Sequence, residues 1–515
     1  MTPAALGAAW DRGRVTPYVG SAASLGALLD DALVQHKSHD ALIEADRKRE
    51  ASRWTYLDVE RTVRRITGRL QDVGFGADDR AAILMTNQPR WLLSAIAVFR
   101  RGGVLVPLDY KLEPREQAAL VAHARPRVLI VEYPLFRKLG PVDVPEVWVS
   151  EAPPDADLGR ARRWEELPDR AGDTVARTRD DLATIVYSSG TGGRAKGCLL
   201  THGVYLAQLE ALLDRFPMAP GDRYFSILPT NHAIDFMVGF VGPLTCGATV
   251  VHQRTLRPEL LRFTMARYEV THMAVVPLLL EAFRKAAVEK LDALPAWQRS
   301  AVDAAIAVNG RLTERGPNHA VSRRLLAPIH AAFGGRLRLM FCGGAFTDRA
   351  LVEFFHRLGL PVVVGYGLTE ACTVVTVNGV HPLRADSVGP PVRGVELRID
   401  RPDADGVGEV VVRGPTVMAG YLDDPELTAE TIRDGWLHTG DLGWIDASNH
   451  LHLVGRSKDL IVTAGGKNVY PEDVEFAFAG LPGVEELAVF AANTVWPART
   501  MVGEQLVAVV RADAV

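Results

Sequence analysis

The stretch "TIVYSSGTGGRAKGCLLTH", Thr184 to His202, joins an apolar run to a segment with helical spacing. Between Ser188 and Gly197 it holds two serines, a threonine, four glycines, an arginine and a lysine. Hydroxyls, unhindered backbone N–H groups and cations at that density point to a phosphate, because successive N–H groups in a tight turn form an anion-binding nest. A Walker A loop requires a lysine preceded by glycine and followed by a hydroxyl residue, but Ala195 precedes Lys196 and Gly197 follows it. A dinucleotide turn fits on paper: Gly190, Gly192 and Ala195 follow a strand, with Glu210 twenty residues on. Glu210, however, falls inside a helical pattern and not at the end of a second strand, where a ribose-binding carboxylate belongs. A surface turn explains the glycines alone, but not hydroxyl, amide and cation groups at this density.

Outward from the loop, the chain's size and charge narrow the setting. At 515 residues it exceeds what one hydrophobic core supports, so two or more domains are expected. Fifty-eight basic residues against 62 acidic ones leave a formal charge of -4, which does not favour a nucleic-acid partner. Cys198, Cys246, Cys342 and Cys372 are widely spaced with no CxxC pair, as expected of reduced thiols in a cytoplasmic protein without a zinc site. The N-terminus lacks a signal-peptide pattern, and runs such as "WLLSAIAVF" are too short to span a bilayer, leaving peripheral membrane contact open.

The first third alternates helical patterns, such as "LDVERTVRRITGRLQDVG", with short apolar runs, such as "RAAILMTN" and "GGVLVPLD". That alternation predicts βαβ units on a largely parallel sheet. "LATIVY" reads as a buried strand, with Leu206, Leu209, Leu213 and Phe216 at helical spacing behind it. A second alternating region runs through "FSILPTNH", "ATVVHQ", "HMAVVP", "LRLMFCGG" and "LPVVVGYG". After about Gly389 the texture changes to short strands and hairpins, the pattern of a small antiparallel barrel or sheet. The predicted fold is α/β: a large N-terminal domain of two βα-layered subdomains plus a small antiparallel β-barrel, over residues 1–456. A small, incomplete α+β domain follows over 457–515. The Ala/Arg/Pro/Asp-rich "SEAPPDADLGRARRWEELPDRAGD" is expected to be a surface connection.

"YSSGTGGRAKG" resembles the phosphate-binding signature of the adenylate-forming (AMP-binding) superfamily, with Ser188, Gly192 and Ala195 where Thr, Thr and Pro are commoner. Further motifs follow in the superfamily's order, and the resemblance covers the chain from about "WTYLDVE" to the end. It implies that Ser188, Ser189, Gly190, Thr191, Gly192, Gly193 and Lys196 grip the β- and γ-phosphates of ATP. "CGGA" would place Gly343, Gly344 and Ala345 beside adenine. In "GYGLTEA", Tyr366 and Gly367 would adjoin the base, Thr369 a phosphate oxygen, and Glu370 would hold Mg²⁺. Asp441 of "WLHTGDLG" would accept from the ribose hydroxyls. Arg456 of "GRSKDLI" would reach the ribose and α-phosphate, and Lys458 would be the hinge between domains.

The implied reaction is ATP-dependent activation of a carboxylic acid to acyl-AMP and pyrophosphate, then transfer to the thiol of coenzyme A, giving acyl-CoA and AMP. Lys196, Thr369, Glu370 and Arg456 are the expected catalytic residues, with His232 and Gly365 bordering the acid. Asp235 is out of register for binding an α-amine, which disfavours amino-acid substrates. The helical insertion from "AVEKLDALPAW" to "IHAAF" and the wording "RSKDLIVTAGGKNVYPEDVE" most resemble bacterial long-chain acyl-CoA synthetases, so a fatty acid is expected. Gly465 and Gly466 of the latter would pass a pantetheine arm, or form an ordinary hairpin turn. Two alternatives stand beside this reading: loading of a carrier protein's phosphopantetheine, and a non-catalytic nucleotide- or acyl-binding relative. The superfamily's late lysine, which contacts the carboxylate and α-phosphate, would lie beyond Val515. Val515 is therefore expected to end a truncated chain or the first module of a longer one, with slow adenylation as the consequence.

Overall fold

The computed structural model describes residues 19–188, 196–456, 461–462, 468–469, 471–478, 484–491 and 506–512. Two eight-stranded, mostly parallel sheets dominate it. One runs in the order Gly420–Tyr421, Lys196–Thr201, Leu182–Ser188, Val104–Pro107, Arg80–Leu84, Val128–Glu132, Glu146–Ser150, Arg162–Arg163. The other runs Thr376–Val377, Val362–Tyr366, Leu339–Cys342, His272–Val275, Arg223–Ser226, Thr249–Gln253, Asp40–Asp46, Arg49–Thr55. The predicted βα layering is therefore present twice. Its central strands are buried throughout, as the uninterrupted apolar runs require of a sheet covered on both faces.

Helix Tyr56–Asp72 shows how the local signals act. Thr55 Oγ1 accepts from the Asp58 N–H at 3.1 Å while Asp58 accepts from the Thr55 N–H at 3.0 Å, a reciprocal N-terminal cap. Val59, Val63, Ile66 and Leu70 then recur along one face and are fully buried.

The quoted loop joins two strands, not a strand and a helix. Leu182–Ser188 pairs antiparallel with Lys196–Thr201, with Val186 opposite Cys198 and Ser188 opposite Lys196. Cys198 and Leu200 are fully buried, which holds this short segment in the sheet before Thr201 caps helix His202–Arg215.

After residue 390 the texture changes as the hairpin pattern predicted. Glu396–Asp400, Gly408–Arg413, Trp436–Ile445, Ile432–Arg433 and Leu451–Arg456 form a five-stranded antiparallel sheet. Asp441 lies opposite Arg456 in its register. Helix Pro471–Phe478 and the antiparallel pair Val484–Ala491 with Leu506–Ala512 form a smaller β/α region.

The stretch from Ser150 to Asp173 is mostly irregular and exposed, as expected of a connection. Trp164 within it is nonetheless buried, its Nε1 donating to Ser94 Oγ at 2.9 Å. The helical insertion, residues 287–333, takes in the end of helix Pro277–Asp292 and the helices Ala296–Leu312, His319–Leu325 and Ala327–Ala332, and the two long helices lie against Arg349–Arg357. All four cysteines are buried and free of disulfides. Among the described residues no helix is long and apolar enough to cross a membrane.

The two large sheets are joined by polar side chains at their strand ends. Asn87 Nδ2 donates to Ser226 Oγ at 3.1 Å, and Asn87 Oδ1 accepts from the Thr230 N–H at 2.9 Å. Arg254 pairs with Glu44 at 2.6 Å on its own sheet, and with Glu132 at 3.4 Å and Glu151 at 2.7 Å on the other.

Candidate active site

A cleft of about 1260 Å³ opens where the two large sheets and the antiparallel sheet meet. Ser188, Lys196, His232, Gly344, Gly367, Thr369, Glu370 and Arg456 line it, so eight of the residues singled out from separate motifs share one surface. Gly343, Ala345, Gly365, Tyr366 and Asp441 are not in its lining. Ser189, Gly190, Thr191, Gly192, Gly193 and Lys458 lie outside the described residues, as do Gly465 and Gly466.

On one wall, Ser188 ends its strand and donates its hydroxyl to Glu370 Oε1 at 3.1 Å. Tyr421 donates its phenol to the same oxygen at 3.0 Å. Glu370 sits in a one-turn 3₁₀ segment, Thr369–Ala371, that follows strand Val362–Tyr366. A Cβ on Gly367 would lie 1.6 Å from the Thr373 carbonyl oxygen, so only glycine permits this sharp exit from the strand. The Lys196 ammonium stands 5.3 Å from the Tyr421 ring centre, a cation–π distance. Buried Cys198 lies 3.8 Å from Ser188 Oγ, and burial pushes its thiol well above the ordinary range.

Tyr366 donates its phenol to Asp441 Oδ2 at 2.6 Å, and Arg456 Nε pairs with Asp441 Oδ1 at 3.0 Å. Burial raises the Asp441 pKa, against the opposing pull of the Tyr366 hydrogen bond and the Arg456 charge. Tyr366 was expected beside adenine. Its ring is 9% exposed and its hydroxyl is committed to Asp441, so it supports the carboxylate from behind the surface. Thr439 Oγ1 accepts from the Asp441 N–H at 3.0 Å, fixing the backbone of this turn.

His232 Nε2 lies 3.4 Å from Asp109 Oδ2, and both line the cleft. The surrounding protein lowers the His232 pKa; Asp109 raises it and Lys111 lowers it further. Asp235, three residues on, is fully buried and accepts from Tyr224 at 3.0 Å, Ser226 at 2.9 Å and Thr230 at 3.0 Å. It takes no part in the cleft surface. No residue of the insertion 287–333 lines the cleft either.

Glu370 tests whether a metal ion fits here. Both hydroxyls fall on Oε1, and among the described residues no donor reaches Oε2. A carboxylate with one oxygen unclaimed, in a cleft with a cation beside it, suits a hard divalent ion that takes its other ligands from phosphate and water.

Comparison with known proteins bears on what such a cleft is for. A family profile described as AMP-binding enzyme matches residues 29–422. The chain belongs to the AMP-binding enzyme family. It is thus an AMP-forming ligase built on that family's nucleotide-binding fold. The chain is 30% identical over 451 residues to a feruloyl-CoA synthase of Amycolatopsis sp, covering 84% of this chain and 80% of that one. It is also 30% identical over 468 residues to a long-chain-fatty-acid–CoA ligase of Mycobacterium bovis, covering 84% and 74%. Among solved structures, ATP-bound MatB from Rhodopseudomonas palustris superposes with a TM-score of 0.72 at 26% identity, covering 95% of this chain and 89% of that one.

Within this AMP-binding enzyme, sequence reasoning missed Tyr421 and Asp109. Each sits in a short segment without clustered polar residues: "GYL" pairs with the strand after the loop, and "PLDYK" follows strand Val104–Pro107. Their proximity to Glu370 and His232 spans 51 and 123 positions of chain, a separation that no local pattern reports.

Proposed function

We propose that this ligase activates a carboxylic acid with ATP and passes the acyl group to coenzyme A. The observation that supports it most is that Ser188, Lys196, Glu370 and Arg456 line one cleft, with Asp441 paired to Arg456 behind its surface. ATP bound there would set its β- and γ-phosphates against Ser188, Lys196 and Glu370, and its ribose and α-phosphate against Arg456 and Asp441.

The reaction follows from charge. A carboxylate is a poor acyl donor because its leaving group would be oxide. Attack of its oxygen on the α-phosphorus forms a C(O)–O–P bond and breaks the bond to pyrophosphate, giving an acyl-adenylate whose AMP leaves readily. Catalysis of such phosphoryl chemistry is mostly positioning and charge neutralisation. Lys196 and Arg456 would bear on the negative charge, Ser188 and Thr369 would donate to phosphate oxygens, and Asp441 would accept from the ribose hydroxyls. Mg²⁺ held through Glu370 would neutralise charge on the departing pyrophosphate. Attack of the thiol sulfur on the acyl carbon then forms the thioester and releases AMP. Lys458 is read as the hinge at which the segment from 457 onward turns between the two half-reactions.

A fatty acid is the substrate class we assign, with His232 and Gly365 bordering its carboxyl end. The similarity to a long-chain-fatty-acid–CoA ligase supports that choice; the feruloyl-CoA synthase makes an aryl acid the competing class. ATP–pyrophosphate exchange across fatty, aryl and amino acids tests both levels. Exchange driven best by fatty acids is expected. Exchange driven best by an aryl acid would overturn the substrate assignment, and none with any acid would overturn the activation itself. Supplying coenzyme A or a phosphopantetheinylated carrier protein and weighing the thioester product decides the acceptor.

A further inference from the structure

The segment Met418–Leu422 is hydrogen-bonded to both pieces of the phosphate wall. The Met418 N–H donates to the Glu370 carbonyl at 2.8 Å, while the Ala419 and Leu422 N–H groups donate to the carbonyls of Leu199 and Gly197 at 2.9 and 2.8 Å. Gly420 and Tyr421 complete the pairing opposite Leu199 and Cys198. A second tie fixes the same residue, since the Tyr421 N–H donates to Thr428 Oγ1 at 2.9 Å. This short strand therefore belongs to the sheet that carries Lys196 and also holds the turn that carries Glu370, which follows the other sheet. Tyr421 is the residue on it whose side chain reaches both: its hydroxyl meets Glu370 Oε1 and its ring lies under the Lys196 ammonium.

We propose that Tyr421 is a positioning residue that presets Glu370 for a phosphate-bound metal ion. The proposal rests on the adenylation reading of the cleft. A glutamate side chain has several rotatable bonds and loses considerable entropy when held in one orientation. Two hydroxyl donors on Oε1 remove that freedom before the substrate arrives and leave Oε2 for the ion. The Ser188 hydroxyl cannot do this alone once it is drawn to a phosphate oxygen, whereas the Tyr421 hydroxyl hangs from a separate strand. The ring does different work from the hydroxyl, holding the Lys196 ammonium near the site through a cation–π contact.

Tyr421→Phe separates these roles, because it deletes the hydroxyl and keeps the ring. Calorimetric titration of the full chain with ATP in excess Mg²⁺, and with ATP in a chelator, gives a readout independent of turnover. Loss of a hydrogen bond to a charged group should weaken MgATP binding about tenfold, with metal-free ATP binding held within about twofold. The half-saturating Mg²⁺ concentration for acid-dependent exchange should rise by a similar factor while the KM for the acid stays put. Unchanged MgATP binding would overturn the proposal, and so would an equal fall for MgATP and metal-free ATP, which would mark Tyr421 as general scaffold. Glu370→Gln is run alongside: if it leaves the metal dependence intact, the metal assignment itself fails, and if it abolishes that dependence while Tyr421→Phe does nothing, only the positioning role fails. A melting curve of Tyr421→Phe superposing on the parent confirms that the difference is local.

Discussion

Tyr366 donates to Asp441 at 2.6 Å from a ring that is almost wholly buried, so the carboxylate assigned to the ribose is held from inside the protein and paired with Arg456 at the surface. Asp441 is itself buried and its pKa is raised, chiefly by burial, so keeping it ionised costs folding free energy. Asp441→Asn keeps an acceptor for Tyr366 and removes that cost. Its melting temperature at pH 7.5 should equal or exceed the parent's while ATP affinity falls by about tenfold or more, the trade expected of a strained binding group. A fall in both, read by calorimetry and thermal melting, would mean that the carboxylate is there for the fold.

His232 and Asp109 should show themselves in the pH profile. Burial lowers the histidine's pKa and Asp109 opposes that, so His232 is neutral at pH 7. Removing the carboxylate by Asp109→Asn lowers the pKa further, and the acidic limb attributable to His232 should move to lower pH. Profiles of kcat/KM for the acid in parent and variant check the direction. His232→Ala should raise the KM for the acid more than the KM for ATP, if the side chain borders the acid.

Asp235 makes the fold itself pH-dependent. Its native pKa is pushed up to about 6 by burial, partly offset by hydrogen bonds from Ser226, Thr230 and Tyr224. In the unfolded chain an aspartate titrates near 4. The native state therefore holds a proton that the unfolded state has lost between these values, and stability from this group, full below about pH 4, is lost as pH rises through about 6. Two pKa units correspond to about 3 kcal/mol. The stability difference between Asp235→Asn and the parent should therefore shift in favour of the variant by up to that amount between pH 4 and 7, as measured by urea unfolding at both ends.

Arg254 holds three carboxylates from two sheets, with Glu44 and Glu132 largely buried beside it. Arg254→Ala leaves Glu44 and Glu132 without that cation, while Arg90 still pairs with Glu151 at 2.9 Å. A loss of about 2–4 kcal/mol is expected, below the full cost of breaking a buried pair because the arginine is partly solvated. Urea unfolding of Arg254→Ala measures it, and Arg254→Lys should recover part of the loss.

Much of the architecture was legible because each signal is local. Apolar runs of strand length alternating with helical periods announced both parallel sheets, and the turn-rich stretch past Gly389 announced the antiparallel one. The loop's setting was misread for a local reason too: "KGCLLT" is too short to show a period, and only its place between Leu182–Ser188 and Gly420–Tyr421 makes it a strand. That the Tyr366 hydroxyl meets Asp441 was not legible, because a motif states residue type and not burial or partner.

By itself the sequence determined the layered α/β design, because apolar runs and helical periods are local signals; the roles proposed for the Ser188 to Lys196 loop, Glu370, Asp441 and Arg456 come from the resemblance of their motifs to the superfamily's. The tertiary structure alone decided which residues stand beside them: Tyr421 on Glu370, Tyr366 on Asp441, Asp109 on His232. Such pairs are made where separate strands end against one another, and the hydrogen bonds that join them depend on distance in space, to which distance along the chain is no guide.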